Sequence, residues 1–323
     1  MDPCPEASMS TPRPPHSAAL PALLAAIVAG CAGPASPPLP ALSASAVGDT
    51  AGLVQRGEHL VRNVSVCGHC HAPPATRNAD GPLSGGAEFR NWRLGTIRAA
   101  NLTPDSATGI GAWSDAEIVR AIRTGVSRDG RLLAPVMPYE WLSSMSERDA
   151  MAIARYLKSQ PAVRHEVRSS PNLVFRAARA VILHPAHPRQ GMAPRPGPTA
   201  EYGGYLADGP GLCADCHTPR GGIQSAADRD RLYAGDATPP AAFPANPSNL
   251  TPDSATGIGR WSEGDFVRTL RTGVDPAGAR LHPFMPWREY RRMSDDELAA
   301  LYRYLRTLPP IRNPVPRRSS AGA

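Results

Sequence analysis

The chain has 323 residues, of which 41% are hydrophobic, 20% charged and only 6% aromatic, and its formal net charge is +7. Its 35 basic residues are dispersed and form no basic stripe interleaved with aromatic side chains, which argues against a nucleic-acid-binding protein. Because proline and glycine contribute 37 and 29 residues, we expect short helices joined by long loops.

The N-terminal leader has the features of an export signal. An apolar run, SAALPALLAAIVAGC, follows Arg13 and has the length of a signal-peptide core, which is too short to span a bilayer. The run ends at Val28 to Cys31, which is similar to the lipobox of bacterial lipoproteins. We therefore expect residues 1–30 to be a lipoprotein-type signal peptide, Cys31 to be the lipidation site and residues 31–49 to be a flexible tether. A plain secretory signal is the alternative, and both interpretations export the protein.

One unit is written twice along the chain. The letters NLTPDSATGIG occupy residues 101–111 and again residues 249–259. The copies align without a gap from Asn101 to Val163, and LVRNVSVCGHCH in the first copy corresponds to LADGPGLCADCH in the second. A two-residue length difference falls between these cysteines and the repeated loop. The pattern predicts a tandem duplication of a unit of about 110 residues, an ordinary domain size.

The expected elements of the first copy are helices. One helix over about residues 53–64 leads into the cysteines, and a second begins at the capping box from Ser114 to Glu117. A last helix begins after Ser146, where Asp149 completes a weaker box, and its counterpart has a box from Ser294 to Glu297. Neither copy contains a convincing alternating strand.

Residues 164–197 join the copies. The stretch PNLVFRAARAVILHP predicts an amphipathic helix with its apolar residues on one side, namely Leu173, Val174, Ala178, Val181 and Ile182. We expect this apolar face to pack between the two domains, with packing on a partner as the alternative.

Four of the six cysteines form one C-x-x-C-H motif in each copy. The two motifs are Cys67, Cys70 and His71 in the first copy and Cys213, Cys216 and His217 in the second. This pattern is the c-type haem attachment signature, in which two thiols bind the porphyrin and the histidine binds its iron. A thioredoxin-like pair would need a βαβ context, and a zinc site would need further ligands, so both alternatives are disfavoured. His69 has no counterpart in the second copy and is expected at the surface.

Two methionines are the expected sixth ligands of the irons. Met137 and Met285 stand in VMPY and FMPW, where the following proline holds the loop extended and presents the thioether. Met145 and Met293 are also shared, but each precedes a helix-capping serine and is expected to pack against the helix start. His282 is the best rival ligand, although its counterpart in the first copy is Ala134.

Taken together, the paired CxxCH motifs, NLTPDSATGIGxWS, RTGV and MPYxxWxxMSxxD resemble tandem class I cytochrome c domains. They are similar to the cytochromes that accept electrons from bacterial periplasmic dehydrogenases. The resemblance implies an all-α fold of two tandem helical domains, each wrapped around a covalent haem. It covers roughly residues 50–312 and implies cytochrome c domain 1 over residues 50–163, a linker over 164–197 and cytochrome c domain 2 over 198–312. We expect residues 313–323 to be a disordered tail.

The resemblance also implies the function. Cys67, Cys70, Cys213 and Cys216 would attach two haem c groups, with iron ligands His71, Met137, His217 and Met285. The protein would carry electrons between a periplasmic dehydrogenase and a terminal oxidase or soluble cytochrome, with no catalytic residues. We expect it on the periplasmic side of a bacterial membrane, held by lipid, or else soluble in the periplasm. The alternative function is a dihaem peroxidase-like enzyme with one open haem.

Overall fold

The computed structural model describes residues 50–74, 80–189, 191–221, 226–239 and 244–317. The expected signal peptide, Cys31, the tether and the end of the tail lie outside these residues. The α-helices of the described ranges are α1 (Thr50–His59), α2 (Gly68–His71), α3 (Asp115–Thr124), α4 (Tyr139–Leu142), α5 (Glu147–Ser159), α6 (Leu173–Val181), α7 (Ala200–Asp208), α8 (Cys213–His217), α9 (Glu263–Thr272), α10 (Trp287–Tyr290) and α11 (Asp295–Thr307). The strands are β1 (Glu88–Asn91), β2 (Gly95–Arg98), β3 (Ser170–Pro171), β4 (Arg220–Gly221) and β5 (Ala226–Ala227).

The predicted helix starts are confirmed. Ser114 and Glu117 form a complete capping box at α3, and Ser294 and Glu297 form one at α11. Ser146 caps α5 by accepting the Asp149 backbone N–H, but no capping box forms there. The helix predicted over residues 53–64 is α1 extended by a π-helical turn over Leu60–Val64. Local sequence signals therefore place the helices well.

The expectation of an all-α fold of two helical domains is wrong. Strands β1 and β2 form an antiparallel hairpin, β3 pairs with the free edge of β2, and β4 pairs with β5 in the second copy. The described residues of both copies also lie in one compact unit with a continuous apolar core. A strand of four residues is too short to show an alternating pattern, and the β2–β3 pairing joins distant parts of the chain.

The first and last helices of each copy cross in close contact, with α1 against α5 and α7 against α11. A Cβ atom on Gly57 of α1 would lie 1.9 Å from the Ala152 carbonyl oxygen of α5. In the second copy, a Cβ on Gly203 would lie 1.9 Å from the Ala300 carbonyl oxygen. Since only glycine fits at either crossing, both copies bring their helix backbones together in the same way.

Polar side chains join the two copies at the centre of these four helices. Arg56 makes two bonds to Asp149, with Nε–Oδ1 at 3.0 Å and Nη2–Oδ2 at 2.9 Å. The Tyr205 hydroxyl of the second copy donates to Asp149 Oδ2 at 2.6 Å. In the opposite direction, His59 Nε2 of the first copy lies 2.9 Å from both carboxylate oxygens of Glu297. Each buried carboxylate therefore receives hydrogen bonds from the other copy.

Helix α6 differs from its prediction. Its Phe175 is buried, but the apolar side expected to pack between domains faces outward. Leu173 is 80% exposed and Val181 is 75% exposed. The expectation was wrong because Phe175 is the residue of this helix that the rest of the molecule buries, whereas most of the expected apolar residues stay exposed.

Candidate functional site

Each CxxCH motif forms a short helical turn. In the first copy the His71 N–H donates to the Cys67 carbonyl at 2.8 Å, and in the second the whole motif is α8. Because residues three apart share one helix face, the two thiols of a motif lie on the same side. All four cysteines are half-buried. Two thiols and a neighbouring imidazole are thus presented together in both copies.

The residue before each motif has an unusual backbone conformation. Val66 has φ of 42° and Leu212 has φ of 54°, although neither is glycine. A positive φ is strained for such side chains, and strain of this kind is concentrated at functional sites. The sequence carries no signal for it, because neither residue type favours this conformation.

The motif histidines are oriented by backbone carbonyls. His71 Nδ1 lies 2.8 Å from the Ala100 oxygen, and His217 Nδ1 lies 2.7 Å from the Ser248 oxygen. With Nδ1–H donating to a carbonyl, Nε2 keeps its lone pair for a metal ion. Burial lowers the pKa of both histidines despite the carbonyl bonds, so the neutral, metal-binding form is favoured.

The repeated loop fixes the position of those carbonyls. Ala100 and Ser248 directly precede the two loops. In the first loop Asn101 Oδ1 accepts from the Thr103 N–H at 2.9 Å, and Asn101 Nδ2 donates to the Val163 carbonyl at 2.8 Å. The second loop repeats these bonds from Asn249, at 2.9 Å and 2.7 Å. The loop is therefore a closed hydrogen-bonded unit that fixes the chain beside each motif histidine.

A carboxylate closes the other half of each loop. Asp105 Oδ1 accepts from both the N–H and the hydroxyl of Thr108, each at 2.7 Å. Asp253 does the same for Thr256, at 2.6 Å and 2.7 Å. Since most polar side chains of the loop bond within it, few substitutions would preserve its shape, which accounts for the identical letters. The repeat is visible in the sequence, but its role in orienting the histidines is not.

The two expected methionine ligands lie in equivalent turns. Both side chains are half-buried and pack against the apolar core. The Met137 N–H donates to the Ala134 carbonyl at 2.9 Å, and the Met285 N–H donates to the His282 carbonyl at 3.0 Å. Although His282 shares this turn, its Nδ1 accepts the Phe284 N–H at 3.1 Å. That ring nitrogen is therefore already engaged in a hydrogen bond within the turn.

Glycines of the RTGV segments support these turns. Gly125 has φ of 76° and its Cα faces the Tyr139 ring, so that an added Cβ would lie 2.6 Å from the ring. Gly273 has φ of 70° and faces the Trp287 ring in the same way, at 2.5 Å. The aromatic residue two places after each methionine is therefore packed flat on a helix end. This contact sets the position of the methionine turn.

The other shared methionines have the expected packing role. Met145 is 0% exposed and Met293 is 3% exposed, and both belong to the apolar core. Each directly precedes the capping serine of a last helix. The prediction that they are helix-start packing residues is confirmed.

The two motifs lie near each other, across the contact between the copies. The His69 ring packs edge-on against Phe284, which precedes Met285, with centroids 5.1 Å apart. In the second motif, Asp215 bonds to Trp141 of the first copy and pairs with Arg220. His69 is thus half-buried, so its expected place at the surface is wrong. Each motif carries, between its cysteines, a side chain that contacts the other copy.

The thiols lie in apolar surroundings. Burial raises the pKa of Cys67 and of Cys213 to about 12. Burial, followed by Asp215 and, more weakly, the Cys70 thiol of the other copy, raises the pKa of Cys216. The last effect requires Cys70 and Cys216 to be close together. Such neutral, desolvated thiols suit the edge of an apolar macrocycle.

The donor set fits haem c. Paired thiols, an imidazole with Nε2 available and a thioether in a rigid turn are the groups that bind this cofactor. Within the described ranges, no three His, Cys, Asp or Glu side chains are grouped to hold a metal ion, which gives the zinc alternative no support. In the same part of the chain, no helix combines the length and the apolar character needed to cross a membrane.

Comparison with known proteins agrees with this chemistry. Residues 210–309 match the family model of cytochrome c. The chain is 31% identical over 276 residues to the cytochrome c subunit of alcohol dehydrogenase (quinone) from Gluconacetobacter polyoxogenes, covering 80% of this chain and 56% of that protein. It is 31% identical over 274 residues to the gluconate 2-dehydrogenase cytochrome c subunit of Pantoea cypripedii, covering 79% of this chain and 59% of that protein.

A third relative is similar over most of its own length. The chain is 29% identical over 270 residues to a dihaem cytochrome c-type protein of Cereibacter sphaeroides, covering 80% of this chain and 87% of that protein. The chain spans little more than half the length of the two dehydrogenase subunits. With the CxxCH turns, the oriented histidines and these similarities in place, residues 210–309 belong to the cytochrome c family, and the chain as a whole is similar to cytochrome c subunits and to a dihaem cytochrome c.

Proposed function

We propose that this protein is a dihaem c-type cytochrome that carries electrons from a periplasmic dehydrogenase to a terminal oxidase or a soluble cytochrome. The observation that carries the proposal is that both copies hold a CxxCH turn whose histidine is oriented by the backbone carbonyl directly before the repeated loop, at 2.8 Å and 2.7 Å. Haem c, when bound, supplies reversible one-electron chemistry at iron. The residues of the chain would hold the haem and ligate its iron.

The side chains would have distinct tasks. Cys67 and Cys70, and Cys213 and Cys216, would hold one haem each through thioether bonds. His71 and His217 would be the proximal iron ligands, kept neutral by burial and directed by their Nδ1 bonds. Met137 and Met285 would be the distal ligands. Thioether ligation raises the reduction potential relative to two histidines, which suits an acceptor for a dehydrogenase.

The contact between the motifs supports transfer within one molecule. Cys70 and Cys216 lie close enough for one thiol to affect the pKa of the other. The contacts of His69 with Phe284 and of Asp215 with Trp141 join each motif to the opposite copy. We infer that the chain holds its two haem edges near one another within a single rigid core, so that an electron can pass between them.

A dehydrogenase is the proposed electron donor. Two of the relatives are cytochrome c subunits of an alcohol dehydrogenase (quinone) and of a gluconate 2-dehydrogenase. We therefore propose that this protein acts as the cytochrome subunit or acceptor of such an enzyme and has no catalytic residues of its own. Lipid attachment at Cys31 would hold it at the periplasmic side of a membrane.

The peroxidase-like alternative requires one iron to keep an open position. In the described residues the two methionine turns have the same backbone bonds and the same glycine–aromatic support. Equivalent ligand turns favour two similar electron carriers over a division into an open and a closed haem.

Haem stoichiometry tests the proposal directly. The chain expressed with a cytochrome c maturation system should contain two covalent haems, and the Cys67→Ala/Cys70→Ala variant should contain one. The matched Cys213→Ala/Cys216→Ala variant should also contain one. A single haem in the unaltered protein would contradict the dihaem assignment.

Rapid reduction by a periplasmic dehydrogenase, with only trace peroxide turnover, is expected of the carrier. Turnover of peroxide at about 10 per second or faster would contradict it.

A further inference from the structure

One surface of the molecule is both apolar and basic. It consists of residues 88–98, which contain the β1–β2 hairpin, and residues 164–189, which contain β3 and α6; we call it the basic-apolar surface. The two segments are bonded together. Thr96 pairs with Ser170, Asn172 Nδ2 donates to the Trp92 carbonyl at 2.6 Å, and Arg98 Nη1 donates to the Arg168 carbonyl at 2.7 Å. The surface is therefore one structural element.

Its large apolar side chains face outward. Their exposed fractions are 72% for Trp92, 80% for Leu173, 52% for Val174, 75% for Val181 and 54% for Ile182. Leu173, Val174 and Val181 lie on one side of α6, away from the buried Phe175 ring that anchors the helix. Exposed apolar groups of this size, arranged on one face, mark an interaction surface.

The charge of the chain is concentrated in the same place. The two segments contain eight arginines and two glutamates, a net charge of +6, whereas the whole chain has a net charge of +7. The glutamates are Glu88, paired with Arg90 and Arg98, and Glu166, paired with Arg168. No acidic residue occurs on α6 itself. The rest of the chain is therefore nearly neutral, and a partner of opposite charge would be attracted to this surface.

We propose that the basic-apolar surface binds the surface of an anionic phospholipid bilayer. Helices that lie in the membrane interface combine an exposed aliphatic face with flanking basic residues, and tryptophan is enriched at that depth. Here α6 presents the aliphatic face, exposed Arg176 flanks it, and the Arg93 guanidinium lies 5.1 Å from the centre of the Trp92 ring. The apolar side of α6 enters the headgroup region, and the arginines contact lipid phosphates.

This membrane contact is separate from the lipid expected at Cys31 and does not depend on electron transfer. The test therefore uses the haem-loaded full chain with Cys31→Ser, sedimented with vesicles of equal phosphatidylglycerol and phosphatidylcholine or of phosphatidylcholine alone. Binding is expected only to the anionic vesicles and should weaken as salt is added.

Variants in the same background locate the contact. Leu173→Glu/Val174→Glu should weaken binding about 30-fold, because two negative charges are added, and Arg176→Ala should weaken it about fivefold. Acidic residues in the first turn favour a helix, so α6 should persist. Met192→Glu is the matched control, since Met192 is 88% exposed and lies outside the basic-apolar surface. It should bind nearly as the parent does.

Three results would overturn the proposal. They are failure of the parent to sediment with anionic vesicles, equal sedimentation with neutral vesicles, and unchanged binding by Leu173→Glu/Val174→Glu. If the parent does not bind vesicles but Leu173→Glu/Val174→Glu no longer copurifies with a dehydrogenase, the surface is a protein-docking surface and the lipid assignment is wrong.

Discussion

Arg56 and Tyr202 occupy equivalent places in the two copies, and their side chains meet, with Arg56 Nη2 lying 3.4 Å from the Tyr202 hydroxyl. Arg56 also binds Asp149 of its own copy, and the Tyr202 hydroxyl lies 3.4 Å from Glu297 of its own copy. Since His59 crosses to Glu297, the contact is the centre of a pseudo-symmetric network. The network ties the two copies together through buried carboxylates.

The first prediction concerns the pH dependence of stability. Burial alone would raise the pKa of Glu297, but the bonds from His59 and Ser294 and the charge of Arg56 hold it below its ordinary value. A carboxylate with a lowered pKa stabilises the fold above its unfolded-state pKa of about 4.5, and that stabilisation is lost as the pH falls through the folded-state pKa. In Glu297→Gln, the free energy of unfolding should therefore fall less steeply between about pH 5 and pH 3.

Denaturant unfolding of the haem-loaded protein at several pH values measures this slope. Asp296→Asn is the control, because Asp296 is the exposed neighbour of Glu297 on α11. It should leave the slope unchanged. Equal slopes for the parent and Glu297→Gln would show that the network contributes nothing in acid.

The second prediction concerns the helix crossings. Gly57→Ala and Gly203→Ala should each destabilise the protein by about 3 kcal/mol or more, because the added methyl meets a backbone oxygen that cannot rotate away. Gly264→Ala is a matched control within helix α9, where the nearest contact of an added Cβ is the Ser262 hydroxyl at 3.8 Å. There alanine should stabilise by about 0.5–1 kcal/mol. Loss of stability in Gly264→Ala equal to that at the crossings would refute the packing argument.

Features encoded by local sequence could be predicted. The capping serines, the CxxCH turns and the packing of Met145 and Met293 depend on residues a few positions apart, and the structure places them as expected. The pairing of β2 with β3 depends instead on residues distant in the chain. The same holds for the contact of His71 with the Ala100 carbonyl, which forms only when the repeated loop folds back on the motif.

The sequence also could not predict which side of helix α6 is buried. The apolar pattern of α6 predicts one buried side, but the pattern cannot tell which side the rest of the molecule covers. The structure buries Phe175 and leaves Leu173 and Val181 exposed. The expectation that His69 lies at the surface was wrong for a related reason, because Phe284, which it contacts, belongs to the other copy.

The third prediction concerns the repeated loop. Asn101→Ala removes the bonds to Thr103 and to the Val163 carbonyl and leaves the buried Thr103 N–H without its acceptor. The free energy of unfolding should fall by about 1–3 kcal/mol. Ser106→Ala in the same loop is the control, because Ser106 is exposed, and it should change stability by less than about 0.5 kcal/mol. A similar loss in both variants would argue against the closed-loop interpretation.

The last prediction separates the two pairs of shared methionines. Met137→Ala and Met285→Ala should each remove half of the ferric thioether–iron charge-transfer absorption, since each turn would present one ligand to one iron. Met145→Leu and Met293→Leu should retain the full band, because these side chains are 0% and 3% exposed in the apolar core and leucine nearly conserves their volume. Circular dichroism checks that all four variants are folded. Persistence of the full band in Met137→Ala would remove that residue from the ligand set.

If His282 were the true ligand of the second iron, the His282→Ala spectrum would change while Met285→Ala kept its band. Because His282 Nδ1 accepts the Phe284 N–H, we expect instead that Met285→Ala loses its band and that His282→Ala keeps it.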